Sequence, residues 1–116
     1  MVAPLYVYTP QPVLVTLAMA QQRLRVIFVT SQPEIQNDLT AIVQQASDAV
    51  RNYLKSANDP TWTDTSAPPV VQAAVLTLAA CWWTHKGDDS APQDYDAGAW
   101  KQVERLLMQI RDPALA

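Results

Sequence analysis

The stretch PPVVQAAVLTLAACWWTHKGD, Pro68–Asp88, most constrains the fold, because it is the most apolar part of a 116-residue chain. Its apolar stretch Val70–Trp83 has 14 residues, whereas a membrane-spanning helix needs about 20. As a helix from about Pro69 to His85, it is apolar on all sides, which is typical of a buried helix. Trp82 and Trp83 would lie about 100° apart around that helix, so one neighbour can hardly cover both. We therefore predict that the helix lies at the centre of a bundle or that one side meets a second subunit.

A stripe of small residues runs along the same predicted helix. Ala73, Thr77, Ala80 and Thr84 recur at the helical spacings i, i+4, i+7 and i+11. Small side chains allow backbones to come close together. The pattern predicts the close approach of another helix on this side.

The composition favours a helical domain with a real core. Hydrophobic residues make up 49% of the chain. The chain has only two glycines, and its nine prolines cluster outside the periodic segments. The net charge is −3 and there is no run of basic residues, which argues against a protein that grips nucleic-acid phosphates. The single cysteine, Cys81, cannot form an internal disulfide and is predicted to be a small buried hydrophobic residue.

The first fifteen residues read as an extended N-terminal arm. Val and Tyr residues favour extended backbone, while Pro4, Pro10 and Pro12 exclude a central strand. The absence of Lys or Arg before Arg23 argues against a signal peptide. Such an arm cannot bury itself, so we expect it to become ordered against a neighbouring subunit or another partner.

Two elements are predicted directly after the arm. Thr16 is a suitable N-cap for a short helix, LAMAQQRL, with Leu17, Ala20 and Leu24 on one face. The segment RVIFVT, residues 25–30, is rich in β-branched and aromatic residues and predicts a short strand or a buried extended link.

A long helix is predicted next. The sequence SQPE at Ser31–Glu34 fits a capping box, and the helical pattern continues to about Ser56. The predicted core face comprises Ile35, Leu39, Ile42, Val43, Ala46, Ala49, Val50, Tyr53 and Leu54. The predicted solvent face comprises Gln36, Asn37, Gln44, Ser47, Asp48, Arg51 and Lys55.

The remaining segments are two loops and a final helix. The loop ANDPTWTDTSAPP contains Trp62, which we expect to fold back onto the core, with a partner contact as the alternative. The loop KGDDSAPQDYDAG is acidic, and Asp96 or Gly98 is a candidate cap for the last helix. That helix is predicted to bury Trp100, Val103, Leu107 and Ile110 and to expose Lys101, Glu104, Arg105 and Arg111, before Asp112-Pro113 stops it.

No sequence motif predicts an enzyme, a cofactor site or a metal site. Cys81 and His85 share a helix face at i, i+4, but no third group is placed to orient them, so a helix C-cap or surface role for His85 is favoured. The four aspartates of the acidic loop lack the spacing of a calcium loop. Arg51 and Lys55 are the only cations on the exposed face of the long helix, and both lie at its end, which disfavours a helix-turn-helix DNA binder.

The predicted fold class is therefore all-α: a small four-helix bundle with an extended N-terminal arm and room for one short strand. The expected divisions are the arm at residues 1–15, a helical domain at 16–112 and a C-terminal tail at 113–116.

The order of these elements resembles a known family. TLAMAQQRLRV is similar to an opening T-L-x-x-A-x-x-x-L-R-V, and a capped helix ending in ASDAVRNYL follows. A loop with a tryptophan, a proline-opened apolar helix and a short helix closing with LLMQIR complete the order. Over Thr16–Arg111 the chain resembles the head–tail connector (adaptor) proteins of long-tailed double-stranded DNA bacteriophages.

This resemblance implies a structural, non-enzymatic subunit in the virion neck. Its partners would be copies of itself in a ring of about twelve, the portal protein, a further neck or tail-completion protein, and genomic DNA that passes through without tight binding. The candidate contact residues are Leu5, Tyr6, Val7, Tyr8, Trp62, Trp83, Arg105 and Arg111. The alternatives are a small cytoplasmic helical interaction or regulatory protein and, less favoured, a helix-turn-helix DNA binder.

Overall fold

A computed structural model of the chain describes residues 12–27, 31–85, 97–108 and 110. These residues form four α-helices and one 3₁₀ turn at Lys55–Ala57. The helices are α1 (Leu17–Leu24), α2 (Pro33–Leu54), α3 (Pro69–Thr84) and α4 (Ala97–Leu107). No strand occurs in these ranges, and the predicted all-α bundle is confirmed.

α1 has the predicted bounds because its ends are defined by local interactions. The Thr16 side chain accepts a hydrogen bond from the Met19 amide at 3.0 Å, which satisfies one of the free N–H groups of the first turn. Arg25 ends the helix in the left-handed region, with φ 55°, and its amide donates to the Gln21 carbonyl. The predicted strand or buried link is wrong over residues 25–27, because the left-handed turn breaks extended backbone and Ile27 is 79% exposed. The remainder of that predicted segment, Phe28–Thr30, lies outside the described residues.

α2 begins at Pro33 rather than after a capping box at Ser31. Gln32 is the N-cap, with φ −133° and ψ 65°, and its side chain makes no capping hydrogen bond. A proline disfavours helical backbone at the residue before it, so Gln32 is held outside the helix and Pro33 becomes the first helical residue. The capping-box prediction overlooked this conflict, since it required Gln32 to be helical. At the other end, α2 gives way at Leu54 to the 3₁₀ turn.

α3 lies at the centre of the bundle and contacts α1, α2 and α4. Its fully buried residues lie on one side: Val71, Ala74, Val75, Leu78 and Ala79. They pack against the buried residues of α2, which are Leu39, Val43, Ala46, Val50 and Leu54, and of α4, which are Val103 and Leu107. The prediction of a central apolar helix is confirmed.

The division between arm and bundle lies earlier than residue 15. Leu14 and Val15 are both fully buried members of the core, and Val13 packs against it. The predicted arm of residues 1–15 is therefore wrong at its C-terminal end, because these apolar side chains fill a gap in the subunit's own core. Residues 1–11 lie outside the described part of the chain.

α4 follows its predicted pattern only in its middle. It ends at Leu107, before the predicted stop at Asp112-Pro113, and Trp100 and Ile110 are half-buried rather than buried. Val103 and Leu107 are buried, while Lys101, Glu104 and Arg105 are exposed. Gly98 is the second residue of the helix and therefore does not act as its cap. The other candidate cap, Asp96, and the last basic residue, Arg111, lie outside the described residues.

Candidate interaction surface

A buried arginine at the end of α2 joins three segments of the chain. Arg51 is only 4% exposed. Its Nη1 donates to the Asn58 side-chain oxygen and the Asp59 carbonyl, each at 2.9 Å. Its Nη2 donates to the Pro12 carbonyl at 3.0 Å and to the Trp62 carbonyl at 2.8 Å. The guanidinium thus holds both the start of the described chain and the loop between α2 and α3.

Ser47 lies one helical turn before Arg51, on the same side of α2, and also binds the N-terminal segment. Its hydroxyl, fully buried, accepts a hydrogen bond from the Leu14 amide at 3.1 Å. The prediction that Ser47 and Arg51 face solvent is wrong, because two irregular segments cross this flank and supply carbonyls and an amide that need partners. The sequence signal was the position of both residues beside the buried Ala46 and Val50, on the edge of the apolar stripe.

Burial and hydrogen bonding shift the pKa values of two charged groups in this cluster. Burial lowers the pKa of Arg51, while Asp48 and Asp59 act in the opposite direction. Hydrogen bonds from the Thr61 hydroxyl and amide lower the pKa of Asp59, and the charge of Arg51 adds to this effect. Among the described residues, no acceptor meets the buried Nε–H of Arg51. The cluster is a structural clamp, which we call the Arg51 clamp.

An open groove lies on the other flank of α2. It has a volume of about 300 Å³ and is lined by Ala49, Asn52, Tyr53, Lys55 and Trp100. The Tyr53 and Trp100 rings lie 6.1 Å apart between centroids, with their planes tilted by 49°. This geometry is typical of a favourable aromatic pair and joins α2 to α4. We call this site the Tyr53–Trp100 groove.

The side of α3 away from its buried residues is apolar but only partly covered. Leu76, Ala80 and Trp83 are partly buried, and Thr84 is exposed. The hydroxyls of Thr77 and Thr84 donate to the carbonyls one turn earlier, at 2.9 Å, so these hydroxyls find their partners within the helix. This side contains the predicted stripe of small residues, and we call it the outer side of α3.

The predicted contact residues are spread over several elements. Trp62, in the loop before α3, and Trp83, near the end of α3, are partly buried and pack against the core. Arg105 is exposed on α4. The structure therefore does not bring these three into one visible site, and the predicted contacts Leu5, Tyr6, Val7, Tyr8 and Arg111 lie outside the described residues.

The other candidate groups that the structure describes, Cys81 and His85, lie at the end of α3. His85 follows α3 as its C-cap, and its amide donates to the Cys81 carbonyl at 3.1 Å. Within the described ranges, no three His, Cys, Asp or Glu side chains are placed to hold a metal ion. None of the helices described is long and apolar enough to cross a membrane.

The fold is a small all-α bundle with a central apolar helix, and the Arg51 clamp holds the N-terminal segment at Pro12. No family model, curated protein or solved structure matches the chain.

Proposed function

We propose that the chain is a structural head–tail connector (adaptor) subunit of a phage neck. In this proposal it forms a ring under the portal, extends the DNA channel and receives the next neck or tail component. The support comes from the order of the elements in the sequence and from the surfaces described above.

The outer side of α3 is the observation that carries the proposal. α3 has only three residues outside the apolar and proline classes, namely Gln72, Thr77 and Thr84. Nevertheless, only five of its 16 residues are fully buried within one chain. A helix that is apolar on all sides gains further stability when its second side is also covered. A neighbouring copy would supply that cover.

A ring requires a heterologous interface, in which one surface of a subunit meets a different surface of the next. The outer side of α3 offers one such surface, and small side chains there permit close packing. Exposed apolar residues elsewhere, Ile27 at 79% and Met108 at 63%, are candidates for further contacts. An interface of this kind closes into a ring when its rotation divides a full turn.

The test is the solution mass of the full chain, alone and mixed with a portal ring. We expect a ring, about 154 kDa for twelve copies of the 12.8 kDa chain, in at least one of these samples. A monomer under both conditions would contradict the proposal. A dimer that binds a DNA operator would support the DNA-binder alternative instead.

Two variants with the same change of charge make the test specific. Ala80→Glu places a carboxylate at the centre of the outer side of α3, and we expect it to abolish the ring while the helical circular dichroism is retained. Gln102→Glu adds the same charge to an exposed site of α4. It should assemble as the unmodified chain does, and equal loss in both variants would show that the outer side of α3 is not the interface.

The proposed channel also requires walls that bind DNA weakly, since DNA must slide through it. Neutral or acidic walls offer few cations to phosphates and therefore little counterion release. The exposed face of α2 includes Gln36, Asn37 and Asp38, and the loop before α4 carries four aspartates in its sequence. We expect one of these surfaces to face the channel and Arg105 and Arg111 to face protein partners. Sub-micromolar binding of duplex DNA at low salt, with a steep salt dependence, would contradict this arrangement.

A further inference from the structure

We propose that the N-terminal arm of a second copy, residues 1–11, docks in the Tyr53–Trp100 groove. The inference deepens the proposed function and rests on it for the identity of the second copy as the ring neighbour. The groove, the composition of the arm and the place where the arm joins the bundle each support it.

The groove has the chemistry of a site for an extended proline-containing segment. Two tilted aromatic rings form its apolar wall, and the Asn52 amide and Lys55 ammonium provide donors at its edge. Grooves lined by aromatic rings bind polyproline II segments, whose carbonyl oxygens point outward and accept hydrogen bonds. At about 300 Å³ it lies at the lower end of the size range of ligand pockets, which suits a few side chains of a peptide better than an enclosed ligand.

The sequence of the arm, MVAPLYVYTPQ, is suited to that groove. Pro4 and Pro10 fix their own backbone angles, and each proline, with Pro12 after the arm, disfavours helix at the residue before it. These restrictions favour extended backbone and reduce the conformational entropy lost on docking. Tyr6 and Tyr8 supply further aromatic contact, and the arm carries no charged side chain that would have to be desolvated.

The arm joins the bundle on the side of α2 that faces away from Ala49 and Tyr53, which form part of the apolar wall of the groove. Arg51, which holds the Pro12 carbonyl, lies about 160° around α2 from Ala49 at the far wall of the groove, while Asn52 and Lys55 form the nearer edge. The direct path between them crosses the outward face of α2, where the Gln44 amide donates to the Asp48 carboxylate at 3.0 Å. Apolar arm residues would gain little on that polar surface, which favours the groove of another copy.

The arm is long enough to reach a neighbour. Eleven residues in polyproline II geometry span about 34 Å, close to the length of a 22-residue helix such as α2, about 33 Å. An arm leaving one flank of α2 and a groove on the other flank also make a heterologous contact, the kind that a ring needs.

The test is thiol cross-linking between full-length chains in a Cys81→Ser background. One chain carries Tyr6→Cys or Tyr8→Cys in the arm, and the other carries Asn52→Cys beside the groove. Asn52 is exposed, so the substitution leaves the core intact. The control partner carries Gln36→Cys, an equally exposed site on α2 and about 24 Å away along the helix.

We expect cross-linked pairs with Asn52→Cys at about ten times the yield with Gln36→Cys, the factor that one aromatic contact of about 1.4 kcal/mol provides. Equal yields would overturn the proposal. So would a chain carrying both Tyr6→Cys and Asn52→Cys that cross-links only within itself, because the arm would then dock on its own subunit.

The solution mass of the unmodified chain separates this inference from the proposed function. A ring that shows no preference for Asn52→Cys would refute arm docking and leave the ring in place. Specific cross-linking in a sample that forms only dimers, alone and with portal, would support arm docking and refute the ring.

Discussion

At the scale of single residues, the Arg51 guanidinium holds two irregular segments in place through hydrogen bonds. Three of its four partners are backbone or side-chain oxygens of the loop at residues 58–62, and the fourth is the Pro12 carbonyl. Arginine suits this role because its planar group offers five N–H donors in fixed directions. Lysine has the charge but concentrates its donors on one nitrogen.

Arg51→Ala should lower the free energy of unfolding by about 2–4 kcal/mol, because it leaves carbonyl groups without partners in a mostly buried site. Urea denaturation followed by circular dichroism measures this loss. Arg51→Lys should recover only part of the stability. Arg105→Ala, an exposed arginine on α4, should change it by less than about 0.5 kcal/mol. An equally small effect of Arg51→Ala on the free energy of unfolding would show that water replaces the hydrogen bonds of Arg51 without loss of stability.

Asp59 makes the stability of the same loop sensitive to acid. Its pKa in the folded chain lies below the usual 3.8, chiefly because the Thr61 hydroxyl and amide bond to the carboxylate. A lowered folded pKa stabilises the fold at pH values above 3.8, and this contribution is lost as the pH falls through the folded pKa. Asp59→Asn should therefore reduce the loss of stability as the pH falls below 3.8.

Thr61→Val provides the control for that pH dependence. It removes the hydroxyl bond of 2.6 Å and keeps the amide bond of 2.9 Å, so the pKa of Asp59 should rise part of the way to its usual value. The acid-dependent loss, measured by denaturation at a series of pH values, should fall between those of the unmodified chain and Asp59→Asn. An unchanged pH profile in both variants would assign the acid sensitivity to other carboxylates.

At the scale of elements, α3 combines two functions on opposite sides of one helix. Its buried side fixes the bundle, and its outer side is the proposed interface. Two leucines allow the two functions to be tested separately, because Leu78 is fully buried while Leu76, two residues earlier, is only partly buried. Both substitutions to alanine remove the same atoms, so they form a matched pair.

Leu78→Ala should lower the free energy of unfolding by about 2–5 kcal/mol, as a truncation that leaves a cavity in the core. Leu76→Ala should lower the free energy of unfolding of the isolated chain by less than Leu78→Ala does. Relative to this loss of stability, its effect on assembly should be larger than that of Leu78→Ala. Thermal denaturation and solution mass measure the two effects. A loss below about 1 kcal/mol for Leu78→Ala would contradict its place in the core.

At the scale of the whole molecule, the boundary between the arm and the bundle decides which deletions are tolerated. Removal of residues 1–11 leaves the Pro12 carbonyl on Arg51 and the core residues Leu14 and Val15 in place. We expect this truncated chain to retain its helical circular dichroism and to assemble poorly. A longer deletion, through Val13, would also remove one acceptor of the Arg51 clamp.

Extension of the deletion through Val15 should destabilise the fold, because it removes two fully buried apolar side chains worth about 1.5–3 kcal/mol each. Thermal denaturation of the two truncated chains gives the comparison. Equal stability of both would show that Leu14 and Val15 contribute nothing to the core. Unfolding of the chain that lacks only residues 1–11 would place the arm within the subunit's own core.

The sequence by itself determined the helices of this protein, because the signals for a helix act over at most a few residues. The Thr16 cap, the apolar periodicity of α2 and the proline before α3 all involve neighbours within about one or two turns. The tertiary structure decided the burial of Arg51 and the entry of Leu14 into the core, since their partners are 39 and 33 residues away in the chain. It also decided the Tyr53–Trp100 groove, whose two rings come from different helices. A helical pattern specifies which face of a helix is apolar. Which segments cross the edge of that face depends on the path of the loops. That path is governed by contacts between residues far apart in sequence.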